Sequence, residues 1–133
     1  MKKIDTNYLK EYLKANICPI LIEDLPLDIF DKAIILNNNC DINELNGYYD
    51  GIDFLPPNWY KELLETSTTT MPLLIIKNLN QLPVNEQSKF NEILKYRKIS
   101  TFKLPSECRI IVSCNDINKY PISEDVYSLL AHI

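Results

Sequence analysis

Glycine is almost missing from this chain: its 133 residues include two, Gly47 and Gly51. A nucleotide-binding loop of the form G-x-x-x-x-G-K-[ST] needs glycine so that backbone amides can approach phosphates closely. No glycine precedes Gly47, so no shift of register supplies such a loop in the first third of the chain. Histidine occurs once, as His132, which argues against histidine-dependent catalysis. Long apolar runs are also missing: none approaches the ~20 residues that cross a bilayer, so no membrane partner is expected. Met1-Lys2-Lys3 leads into Ile4-Asp5-Thr6-Asn7, which is not the apolar core of a signal peptide, and a cytoplasmic location is expected. The four cysteines (Cys18, Cys40, Cys108, Cys114) lack C-x-x-C spacing. They read as small buried residues of a reducing compartment, not as a disulfide or metal framework. Positive charge is outnumbered, 14 Lys and Arg to 18 Asp and Glu, for a net charge of -4. That balance disfavours nucleic acid or anionic membrane as a partner of the whole molecule, while leaving room for a local basic patch.

What is present is enough for a core. The chain is 46% hydrophobic and 24% charged, which fits one globular domain over residues 1–133. Met71–Asn115 organises it. Leu73–Ile76 and Arg109–Cys114 are short apolar runs of the kind that a parallel sheet covered on both faces requires. Between them a helix is expected from Pro83, with Phe90, Ile93, Leu94 and Arg97 on one face, followed by a hairpin over Ile99–Pro105. Polar residues end each strand, Lys77-Asn78 and Asn115-Asp116. Ligands of open α/β sheets bind at such carboxyl ends.

Elsewhere the pattern is similar. Asp5 or Thr6 caps a first helix with Tyr8, Leu9, Tyr12 and Leu13 on its apolar face. Cys18–Ile22 and Ala33–Leu36 are strands, with Glu23–Asp31 as a turn between them. Asp41–Asp53 reads as a polar loop holding a short helical turn. Asp50 and Asp53 lack the spacing and terminal glutamate of a calcium loop and read as a solvated turn. Pro56-Pro57 opens a helix with Trp59, Tyr60, Leu63 and Leu64 inward, and Glu65–Thr70 is a surface connection. Ser123 caps a last helix over Glu124–Ala131.

The runs LPPNWYKELLE, PLLIIKNLNQLP, KFNEILKYRKISTFKLP, RIIVSCND and ISEDVYSLLAHI resemble, in order and spacing, the AAA+ ATPase module, most closely its MoxR-like branch. The resemblance covers Asp41–Ile133. It implies a three-layer α/β/α sandwich of P-loop NTPase type with a mainly parallel sheet, truncated and without the C-terminal helical lid. The departures from that family bear on function. Leu21–Phe30 stands at the phosphate loop with Glu23, Asp24 and Asp28 and no glycine, lysine or hydroxyl residue. Lys77-Asn78 replaces the Walker B acids, and neither residue can ligate magnesium as a carboxylate does or act as a base at neutral pH. Asn115 matches the sensor-1 position, and Leu129 stands where the family carries its arginine finger.

The resulting expectation is a catalytically inactive, AAA+-like scaffolding or interaction module with no ATP hydrolysis and no cofactor. Its partner would be another protein, such as an active AAA+ relative. An alternative is a nucleic-acid-binding accessory using the basic stretch 89–109, with Lys89, Lys95, Arg97, Lys98, Lys103 and Arg109. A divergent ATPase using Asp116, Glu23 or Asp24 is a further one. The candidate interaction residues are Lys95, Arg97, Lys98 and Phe102.

Overall fold

Apolar strands without polar alternation need cover on both faces, and the fold supplies it. The computed structural model describes residues 6–15, 19–30, 32–67 and 71–132. Helix α1 (Thr6–Ala15) leads into β1 (Ile20–Glu23), a 3-10 turn (Leu27–Ile29) and β2 (Ala33–Asn37). A short helix α2 (Ile42–Asn46), a hairpin of β3 (Tyr48–Asp50) and β4 (Asp53–Leu55), and helix α3 (Asn58–Ser67) follow. The central unit is β5 (Leu73–Lys77), 3-10 segments at Leu79–Gln81 and Val84–Phe90, α4 (Asn91–Tyr96), a small hairpin of β6 (Lys98–Ile99) and β7 (Phe102–Lys103), and β8 (Arg109–Cys114). The described chain closes with α5 (Glu124–Tyr127) and β9 (Ala131–His132).

Five strands form one parallel sheet in the order β2-β5-β8-β1-β9. Their side chains alternate between two apolar clusters. Leu21, Leu74, Ile76, Ile110 and Val112 face the larger one, built with Trp59, Leu63, Phe90, Ile93 and Val126. Ile20, Ile22, Leu73, Ile75 and Ile111 face the other, where Leu9 and Leu13 of α1 cover them. The protein is therefore an α/β domain with helices on both sides of a parallel sheet. Among the described residues, no helix is long and apolar enough to cross a membrane.

Several expectations need correction. The helix expected from Pro83 is 3-10 over Val84–Phe90 and becomes α-helical only at Asn91. Phe90, Ile93 and Leu94 are buried as expected, but Arg97 is the left-handed C-cap of α4 and not part of its apolar face. Leu64 of α3 points outward. The last helix stops at Tyr127, because Ala131-His132 adds to β1 as a fifth strand. Asp41–Asp53 is not only a loop: after α2 it starts a hairpin that pairs Asp50 with Asp53. Cys18, the Asp5 cap, the Tyr8 side chain and residues 68–70 lie outside the described residues.

Both glycines serve that hairpin. Gly51 has φ 67 at the first central position of the two-residue turn, the position glycine takes in a type II′ hairpin. Gly47 has φ 105, and a Cβ there would lie 2.4 Å from the Leu55 carbonyl oxygen. Since that neighbour is backbone, the hairpin must shift to admit any side chain. Gly47→Ala is expected to cost about 2 kcal/mol, measured as a lowered urea midpoint. An unchanged midpoint would contradict this account of Gly47.

Candidate functional site

The carboxyl ends of β1, β5 and β8 border a cleft of about 260 Å³, lined by residues including Asp24, Lys77, Asn78, Ser113 and Asn115. Each of these three strands is followed, within two residues, by a left-handed residue: Asp24 (φ 54), Asn78 (φ 52) and Asp116 (φ 48). Asp and Asn tolerate that region better than other side chains do, because their short polar groups bond locally. The chain can thus turn sharply at three adjacent strand ends without glycine.

The sequence places Lys77, Asn78 and Asn115 at this edge, and the structure brings them together there. Much of the surrounding backbone is committed, together with the side chains of Ser113 and Asn115. The Asp24 amide donates to the Cys114 carbonyl at 2.8 Å and the Asn78 amide to Ser113 Oγ at 3.0 Å. The Asn78 carbonyl accepts from Asn38 Nδ2, and Asn115 Oδ1 accepts from Gln81 Nε2. Asn80, 1% exposed, donates through Nδ2 to the carbonyls of Asn115 and Tyr120, and its Oδ1 accepts from the Asn115 amide. Gln87, fully buried, donates to the carbonyls of Leu82 and Pro121 and accepts from the Ser123 amide. These amides fasten the loop after β8 to the segment after β5. Sequence reasoning passed over Asn80 and Gln87, because nothing in a lone amide shows that it will be buried.

Nucleophilic chemistry is disfavoured here. Burial, then the Glu23 and Asp24 carboxylates, pushes the Cys114 thiol up to about 12. Burial likewise pushes Cys108 up to about 11, against the lowering effect of Arg97 and Arg109. Neither is a thiolate at neutral pH. His132 does have partners: its Nε2 lies 3.2 Å from Glu23 Oε2 and its Nδ1 3.1 Å from Tyr127 Oη. That set sits beside β9, and Leu129 is half-buried against the larger core cluster. A second, larger cavity of about 380 Å³ lies between β2, α2 and the start of α3, bordered by Asn37, Cys40, Glu44, Tyr48 and Trp59. Among the described residues, no group of His, Cys, Asp and Glu is placed to hold a metal ion.

The basic stretch divides into two sets. Arg97 donates to the Cys108 carbonyl, Lys89 to the Cys40 carbonyl, and Arg109 to the carbonyls of Leu13, Lys14 and Glu107. These three are tied inward. Lys95 and Lys103 are exposed and Lys98 is half-buried. Phe102 is also half-buried: its ring stacks on Phe54 at 5.8 Å and tilts against Tyr60 at 5.5 Å. Phe54 in turn meets Tyr49 edge-on at 4.9 Å, so an aromatic ladder joins the two small hairpins.

No protein-family pattern matches the chain, and no curated protein matches it. Among solved structures it is similar to NtrX from Brucella abortus, a response regulator, with a TM-score of 0.57 and 14% identity. The likeness covers 98% of this chain and 35% of that one, so the present chain spans about a third of its length. At 14% identity it shows the fold alone. These findings correct the AAA+ resemblance: the chain is not assigned to that family. Nor does the strand order make it a receiver domain. The CheY-type order is 2-1-3-4-5, whereas the five strands here, counted in chain order, run 2-3-4-1-5.

Proposed function

We propose that this chain is a non-catalytic protein-interaction or scaffolding module, built on a three-layer α/β sandwich of P-loop NTPase type and working in the cytoplasm. The commitment of the polar groups at the carboxyl edge carries this reading. Asn78, Asn80, Asn115 and Ser113 bond to one another and to neighbouring backbone at the place where an α/β sheet binds its ligand. Lys77 is the cation lining that cleft, and the acidic Asp24 lies across from it. That pair offers no concentrated positive field for a polyphosphate. The apolar surface instead projects from the hairpins, where Tyr49 and Ile52 stand in solvent.

Thermal unfolding with and without millimolar magnesium-ATP tests the reading. A ligand of the native state raises stability by RT ln(1 + [L]/Kd). The expected result is an unchanged, cooperative melting temperature. A clear upward shift would overturn the proposal and return the cleft to nucleotide chemistry.

A further inference from the structure

We infer that the free edge of β2, with the cavity beside it, is a docking site for an extended peptide segment that carries a lysine or arginine. The inference rests on the interaction reading and deepens it by giving the chemistry of the partner. β2 ends the sheet order, so alternate residues of Ala33–Asn37 turn their N–H and C=O groups away from β5, with no strand to meet them. Among the described residues, one backbone hydrogen bond reaches β2 from outside the sheet, from the Cys40 amide to the Asn37 carbonyl at 3.3 Å. Edge strands are ordinarily blunted by brevity, charge, proline or a bulge. β9, at the opposite edge, is two residues long. β2 has none of these devices: it runs Ala-Ile-Ile-Leu-Asn in unbroken register with β5, and its central Ile35 is 41% exposed.

The cavity of about 380 Å³ lies along this edge and not over one face. Successive strand residues point to opposite faces. Leu36 is buried in the larger apolar cluster, Ile35 lies on the other face, and both border the cavity together with Asn37. A chain laid against β2 therefore passes the cavity, which receives one of its side chains. An extended backbone is the ligand that answers a row of unpaired strand amides and carbonyls, and a pocket beside the row selects among side chains.

Charge selects that side chain. The charged residues lining the cavity are Asp41 and Glu44, both exposed. Asp41 spends Oδ1 on the Glu44 amide, and among the described residues neither carboxylate has an ion pair. Asp50 and Asp53 lie on the same hairpin face as Tyr48, which also lines the cavity. Two cations border the region, and each is engaged: Lys89 donates to the Cys40 carbonyl at 3.0 Å, and Lys61 stands 5.8 Å from the centre of the Tyr48 ring. That ring is thus already a face on which a cation rests. Trp59 gives the wall apolar surface for an aliphatic stem. A second copy of the chain carries the same net charge of -4 and is the poorer match.

Fluorescence anisotropy of a labelled peptide alternating valine and arginine, titrated with the full chain, tests this. Saturable binding is expected. The same peptide with all its backbone amides N-methylated keeps its charge and loses strand pairing, whereas a valine–glutamate peptide keeps pairing and reverses the charge. Each should bind weaker by about tenfold or more. Glu44→Lys and Ile35→Lys should each weaken binding of the valine–arginine peptide by about tenfold. Glu44 is exposed on α2, so its variant should keep the wild-type melting temperature, and it decides the matter if Ile35→Lys does not fold. Bound peptide should slow amide exchange in Ala33–Asn37 and not in β9. No saturable binding would overturn the inference. So would equal binding of the N-methylated or glutamate peptide, protection elsewhere than β2, or a dimer through β2 that excludes the peptide. A melting shift with magnesium-ATP would overturn the non-catalytic reading and leave this result standing, so the two failures are distinguishable.

Discussion

Replacing Asn80 by leucine is expected to cost about 4 kcal/mol of stability. The two side chains are nearly the same size, so packing changes little and the loss is polar. Asn80 supplies the donor for two carbonyls, Asn115 and Tyr120, and the acceptor for one amide, Asn115. Each group left unpaired in a buried place costs about 1–3 kcal/mol. Leucine fills the space and keeps water from replacing the lost partners. Urea unfolding should show a much lower midpoint with an unchanged slope, because the surface exposed on unfolding is the same. Gln81→Leu is the control: Gln81 is exposed and gives one hydrogen bond, to Asn115 Oδ1, so its loss should stay below about 1 kcal/mol. Equal losses for the two variants would refute the clamp assigned to Asn80.

Arg109→Met should cost about 3 kcal/mol, through a different part of the molecule. The guanidinium of Arg109, at the start of β8, donates to the carbonyls of Leu13 and Lys14 at the end of α1. The last carbonyls of a helix have no partner within it, and a charged donor there is worth about 1.5–3 kcal/mol per bond. Methionine preserves the apolar stem and removes the donors. The strands' second face, with Ile20, Ile22, Ile75 and Ile111, depends on Leu9 and Leu13 of α1 for cover. Amide exchange across α1 should therefore accelerate more than that of α3, which lies on the other side. A loss under about 1 kcal/mol, with α1 still protected, would show that Leu9 and Leu13 hold the helix without help.

Most of the scaffold was legible because it rests on burial. Leu73–Ile76 and Arg109–Cys114 had no solvent face to show, and they became the two neighbouring central strands β5 and β8. The Trp59, Tyr60 and Leu63 face was legible for the same reason. The β3–β4 hairpin was missed although its signal was present: Gly51-Ile52 between Tyr48-Tyr49-Asp50 and Asp53-Phe54-Leu55 is the Gly-X pattern of a type II′ hairpin, outweighed by the polarity of the surrounding segment. β9 carried no signal, since two residues have no periodicity and only the neighbouring β1 makes them a strand. At the cleft the strand ends were legible, since the apolar runs stop at Lys77-Asn78 and Asn115. The hydrogen bonds of Arg97 and Arg109 to backbone carbonyls were not, because an arginine that meets a carbonyl and one that meets solvent are the same letter. The AAA+ resemblance rested on the order of weak matches, and the order alone did not establish the family.

The position of β1 bears on how this chain is made. Its partners are β8 on one side and β9 on the other, both from the last part of the sequence. During synthesis Ile20–Ile22 therefore leaves the ribosome with no neighbour to pair with, while β2 and β5 can already join. At roughly 5–20 residues per second, that apolar strand stays open on the order of several seconds, until Arg109–Cys114 has emerged. Only then can β1 slot between β8 and the final strand. The sheet is completed from its first-made piece last, and a ribosome stalled before Arg109 would hold out a bare, sticky segment for chaperones to guard.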